Sequence, residues 1–138
     1  MAALSDYAEN ALLDYLLGKN DTDPLAHDDL YVALFTSDPG EDASGAEVSG
    51  TSYARVQVPN QNGDAKWDTA ANGIKRNAAS IPFPAAGGSW GTVTHVAIFT
   101  ASTGTTNLIA YGPLSTSKTI GNADVFSFGV GDLQITLD

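Results

Sequence analysis

The chain has no cysteine, so neither a disulfide nor a thiolate zinc site can stabilise it. Burial, hydrogen bonds and neighbouring subunits must do so instead. Basic residues are scarce: six Lys and Arg stand against sixteen Asp and Glu, for a formal net charge of −10. A field of that sign repels nucleic acid, and no direct nucleic-acid partner is expected. No apolar run approaches the roughly 20 residues a membrane helix needs, and no membrane partner is expected either. The first residues, Met-Ala-Ala-Leu-Ser-Asp-Tyr, lack the basic start and apolar core of a signal peptide, which predicts synthesis and folding in a cytoplasm. With two histidines, no cysteine and no Gly-x-Ser-x-Gly elbow, nucleophilic catalysis has little to work with. No internal repeat is visible.

At 138 residues the chain is long enough for one domain with a real core and short for two. Its charge is uneven. Residues 1–47 carry eleven acids and only Lys19 as a base, whereas residues 48–138 carry five of each. The expected layout is therefore an N-terminal helix and acidic arm over 1–28, followed by a neutral β body over 29–138.

One helix is expected over 5–17. Ser5 is a plausible N-cap, Asp6 and Glu9 complement the dipole in the first turn, and Gly18 suits a left-handed cap. Leu4, Ala8, Ala11, Leu12, Tyr15 and Leu16 form an apolar stripe. Leu13 and Leu17 widen it beyond one contact face, which points to packing on two sides, by another subunit or within the domain.

The rest reads as short strands with Gly, Pro and Asn punctuation. Residues 88–99, Gly-Ser-Trp-Gly-Thr-Val-Thr-His-Val-Ala-Ile-Phe, lead into a strand that is apolar on both faces, hence central and doubly covered. Residues 30–36 read the same way. Ser37-Asp38-Pro39-Gly40 is a turn, and 40–51 reads as a mobile surface loop. Further strands are expected over 53–58, 78–84, 108–114 (a hairpin with 93–99), 125–128 and 133–137, with a long loop around Trp67 over 60–73. The sum is a mostly β domain, an antiparallel β-sandwich or barrel-like fold with one N-terminal α-helix.

The candidate sites are few. His95 alternates with Val93 and Ala97 on a strand, so a hydrogen-bonded core or interface histidine is its plain reading. His27, among Asp21, Asp23, Asp28 and Asp29, is the better metal candidate, but the spacing matches no EF-hand loop and an ordinary acidic loop is favoured. The acids sit in loops or on the helix rather than facing each other across a cleft, which disfavours a glycosidase. Trp67 must be pinned at a core edge or an interface, and Trp90 reads as a plug over one end of the sandwich. No catalytic residue, cofactor or metal is assigned. Tyr7, Leu13, Leu17, Trp67 and Trp90 are the candidate partner contacts.

Several ordered segments resemble a family of small bacteriophage virion proteins usually described as phage tail fibre proteins. They are Leu4–Leu13, Leu30–Pro39, Glu47-Val48-Ser49-Gly50 leading to Tyr53-Ala54-Arg55, Phe83–Ala86, Ser89–His95 and Ser115–Thr119. The stretch 60–76 departs from the pattern. The resemblance implies a non-enzymatic structural component located in the virion, either a tail or fibre component or a capsid cement (decoration) protein. It implies a homo-oligomer, commonly a trimer in proteins of this size and class, that contacts the major capsid protein or tail proteins. The rival from another class is a carbohydrate-binding module contacting host surface glycans through Trp67 and Trp90.

Overall fold

The computed structural model describes Ser5, residues 12–14, Leu17, residues 29–59 and residues 66–137. The chain is mostly β. Its strands are β1 (Asp29–Phe35), β2 (Val56–Pro59), β3 (Ile74–Arg76), β4 (Ile81–Pro82), β5 (Gly91–Phe99), β6 (Leu108–Ile120), β7 (Ser127–Phe128) and β8 (Gln134–Thr136). They form a four-stranded sheet in the order β2-β1-β5-β6 and two two-stranded ladders, β3-β8 and β4-β7. The β1–β5, β5–β6 and β3–β8 pairings are antiparallel. Residues 12–14 and 17 are helical, within the expected N-terminal helix. The expected class is therefore found, and among the described residues no sheet closes into a barrel.

Two compact units divide the chain. One comprises Leu30–Gln57 and Pro82–Ser127; the other draws on the residues before Leu30, Val58–Ile81 and Phe128–Asp138.

In the first unit, β1 is covered on both faces as its sequence requires. Leu30, Val32, Ala33 and Leu34 are fully buried and Phe35 nearly so. Opposed residues on paired strands share a face, so Val32 lies with Ile98 and Leu34 with Val96, while Ala33 lies with Ala97 and Phe35 with His95. On the latter face Ala33, Phe35, Ala43, Ala97 and Phe99 form a cluster, with Leu108 packed against it. The Phe35 and Phe99 rings stack at 6.3 Å. Burying side chains of this size is worth about 1.5–3 kcal/mol each.

The loop after β1 does not stand clear of the body as its composition suggests. Thr36 N–H donates to Ala46 O and Val48 N–H to Leu34 O, and Ala43 and Val48 are buried. Its polar residues face solvent while Ala43 joins the cluster and Val48 is buried beside β1.

The β5–β6 hairpin forms in the expected region, with Phe99 opposite Leu108 and His95 opposite Pro113. β6 then runs on to Ile120, past the expected end at Leu114. Ser-Thr-Ser-Lys-Thr shows no apolar alternation, yet Gly91, Thr92 and Val93 give Ile120, Thr119 and Lys118 their ladder partners. Between Pro113 and Lys118 the edge strand carries three more residues than β5 does between His95 and Val93. This bulge, Pro113 and Lys118 all work against edge-to-edge pairing.

In the second unit, β3 pairs with β8, with Lys75 opposite Ile135. No alternation in Ile-Lys-Arg reveals a three-residue strand here. Of the described helical residues, Leu13 and Leu17, which widen the expected stripe, are buried, whereas Leu12 is 45% exposed. Asp14 on the same segment reaches Lys75 and the Ala70 N–H.

Candidate functional site

Charged and hydroxyl-bearing side chains of the first unit converge at the tip of the β5–β6 hairpin. Arg55, just before β2, has a side chain only 3% exposed. Its Nε and Nη2 donate to the two carboxylate oxygens of Glu47, both at 2.8 Å. Its Nη1 donates to Ala101 O at 3.0 Å and Nη2 also donates to Gly104 O at 2.7 Å. The guanidinium lies 3.7 Å from the centre of the Phe99 ring. A planar five-donor fork suits this combination of a bidentate carboxylate, two carbonyls and a ring face, and an ammonium does not.

Tyr53 completes the arrangement. Its hydroxyl accepts from Leu34 N–H at 3.0 Å and donates to Glu47 at 2.9 Å. Burial pushes the phenol's pKa up, reinforced by the neighbouring Glu47 charge. Tyr53 also stacks on Phe83 at 6.3 Å and meets the Trp90 ring edge-on at 5.4 Å; Phe126 closes the far side of Phe83. On the exposed loop nearby, hydrogen bonds from Ser44 hold the Asp42 carboxyl below its ordinary range.

Glu47, Val48, Tyr53, Ala54, Arg55, Ser102, Thr103 and Gly104 line an open cleft of about 420 Å³. Within it the Arg55 guanidinium and the Glu47 carboxylate pair with each other, and Arg55 fastens the hairpin loop through Ala101 O and Gly104 O.

The second unit holds a buried cation. Lys75 is fully buried; its Nζ donates to Asp14 Oδ1 at 2.8 Å and to Asp68 O at 2.7 Å. Asn77 is equally enclosed and satisfied: its amide donates to Ala79 O and Gly129 O, and its oxygen accepts from Leu133 N–H. These contacts fasten β3 and the segments around it to one another.

Of the expected contact residues, Tyr7 lies outside the described residues. Leu13, Leu17, Trp67 and Trp90 are 2%, 0%, 6% and 4% exposed, covered by the chain itself. The Trp90 indole N–H donates to Thr51 O at 2.9 Å, while that of Trp67 finds no acceptor among the described residues. His95 is half-buried and its Nδ1 lies 2.8 Å from Thr94 Oγ1. His27, Asp21, Asp23 and Asp28 lie outside the described residues, as does the Asp29 side chain. Among the described residues no cluster of His, Asp and Glu is close enough to hold a metal.

Sequence reasoning missed Arg55, Lys75 and Asn77. Arg55 alone carried a local signal, a cation between Ala54 and Val56 in an otherwise largely apolar run; Lys75 and Asn77 stand in a polar stretch with Arg76 and carried none. Glu47, Gly50, Tyr53 and Arg55 did stand within the segments that carried the family resemblance.

A family model described as Podophage GP4 fiber I protein gp80 matches residues 3–136. No curated protein matches the chain.

Proposed function

The chain belongs to the podophage GP4 fiber I protein gp80 family, a phage fibre structural family, and on that premise we propose that it serves as a non-enzymatic subunit of the tail fibre assembly. The observation that carries this reading is the extent of the match, which spans nearly the whole chain. The site chemistry supports it. Arg55 and Lys75, whose side chains are both enclosed, bind backbone carbonyls and carboxylates of the chain itself.

In this role the chain contacts other virion components through exposed surface. The buried Leu13, Leu17, Trp67 and Trp90 serve its own core. Such burial also leaves little ring area for a stacked sugar, so the carbohydrate-binding alternative loses the two aromatics on which it rested.

Quantitative protein analysis of purified particles tests the proposal. A tail fibre role predicts a few copies per virion, in fixed ratio to other tail proteins. A copy number comparable to the major capsid protein would overturn it in favour of capsid cement.

A further inference from the structure

We infer that Lys75 and Asp14 condense to an intramolecular amide, a covalent bond between a β3 side chain and the N-terminal helix. The inference goes beyond the virion role and does not depend on it. In a chain without cysteine, such a bond is a cross-link that needs no thiol. Both residues belong to the second unit, where the β3–β8 ladder is only three residues long.

Three observations meet at this pair. The amine is withdrawn from water: the Lys75 side chain is 0% exposed and that of Asp14 16%. It is also aimed. Nζ donates to Asp14 Oδ1 at 2.8 Å and to Asp68 O at 2.7 Å, so the carbonyl holds the amine against the carboxyl group. Finally, the Ala70 N–H donates to the same Oδ1 at 2.9 Å. A backbone donor on that oxygen stabilises the charge that gathers there when the carboxyl carbon is attacked.

The step balances without a co-reactant. One proton passes from the Lys75 ammonium to Asp14 Oδ2, leaving a neutral amine and a carboxylic acid. Nζ then attacks Cγ, and negative charge collects on Oδ1 against the Ala70 N–H. Oδ2 departs as water, carrying that proton and a second one from the nitrogen. In open water the ionised pair outweighs the amide. Enclosure favours the reverse, because burial penalises the two charges and the amide carries none. Contact supplies the rate, since groups held in reacting geometry behave as if present at about 10⁵ M or more. The product keeps one N–H for Asp68 O and retains Oδ1 for the Ala70 N–H.

The competing state is an ordinary ion pair, and mass separates the two. The full chain is incubated folded, then denatured and weighed by intact mass spectrometry. We expect it to be lighter than its sequence by one water. Trypsin should fail to cut the denatured chain after Lys75, and tandem spectra should place the deficit in a branched peptide joining Asp14 to Lys75. Lys75→Arg keeps the positive charge but offers no such amine, and it should show its full sequence mass. The unaltered chain decides the matter whether or not that variant folds. Full sequence mass with cleavage after Lys75, or a water lost at any other site, overturns the inference.

Discussion

At the residue scale, the two tryptophans are equally hidden but differently bonded. Trp90 has an acceptor in Thr51 O and a close seat against Gly50, where a Cβ would come within 2.3 Å of the ring. Trp67 has a buried N–H that finds no partner among the described residues, and an unmade buried bond costs about 1–3 kcal/mol. Trp67→Phe should therefore be close to neutral in a urea melt. Trp90→Phe should lose about 1–3 kcal/mol by stranding Thr51 O and opening a void. Tyr53 supplies a pH prediction. Its phenol pKa is raised in the folded state, above an unfolded value of about 10. Its contribution is thus fully present below that pH and is lost as pH rises above it. Melting temperature should fall on the alkaline side of pH 10, and Tyr53→Phe should flatten that limb while lowering stability at neutral pH.

At the scale of elements, the Asp14–Lys75 pair makes the N-terminal helix part of its unit's interior. Removing one partner of a buried pair leaves an uncompensated charge, at about 3–5 kcal/mol. Asp14→Ala should show that loss in chemical denaturation. The double variant Asp14→Leu with Lys75→Met should recover part of it by removing the lone buried charge, short of full recovery because the Ala70 N–H and Asp68 O lose these bonds. The elements also show what was legible in advance. β1 and β5 could be read because both faces of each are apolar, and the hairpin because its turn is marked by Ser, Thr and Gly. β3 was not legible, since three residues are too few to display a period. Periodicity counts apolar side chains, so it could not register that Asp14 reaches Lys75. Arg55 was passed over as the polar half of an alternating strand, and only the fold brings Glu47, Ala101 and Gly104 to it. Ion-pair partners distant in sequence leave no local pattern to find.

At the scale of the whole molecule, the acidic first third is not a detachable arm. A chain starting at Thr51 would lack β1, which supplies Leu30, Val32, Leu34 and Phe35 to the core, and Asp14 as well. Such a chain should fail to fold, showing no cooperative melt by circular dichroism. The three-residue excess in β6 bears on whether this sheet can pair with another. An exposed edge strand carries the hazard that one sheet recruits the next without limit. A strand that falls out of step with its neighbour offers a poor template to copy, so such growth is opposed. Deleting Ser115–Ser117 would straighten the strand, and the altered chain should convert to thioflavin-positive filaments that the parent does not form. The irregularity in β6 is what would keep an open sheet from extending.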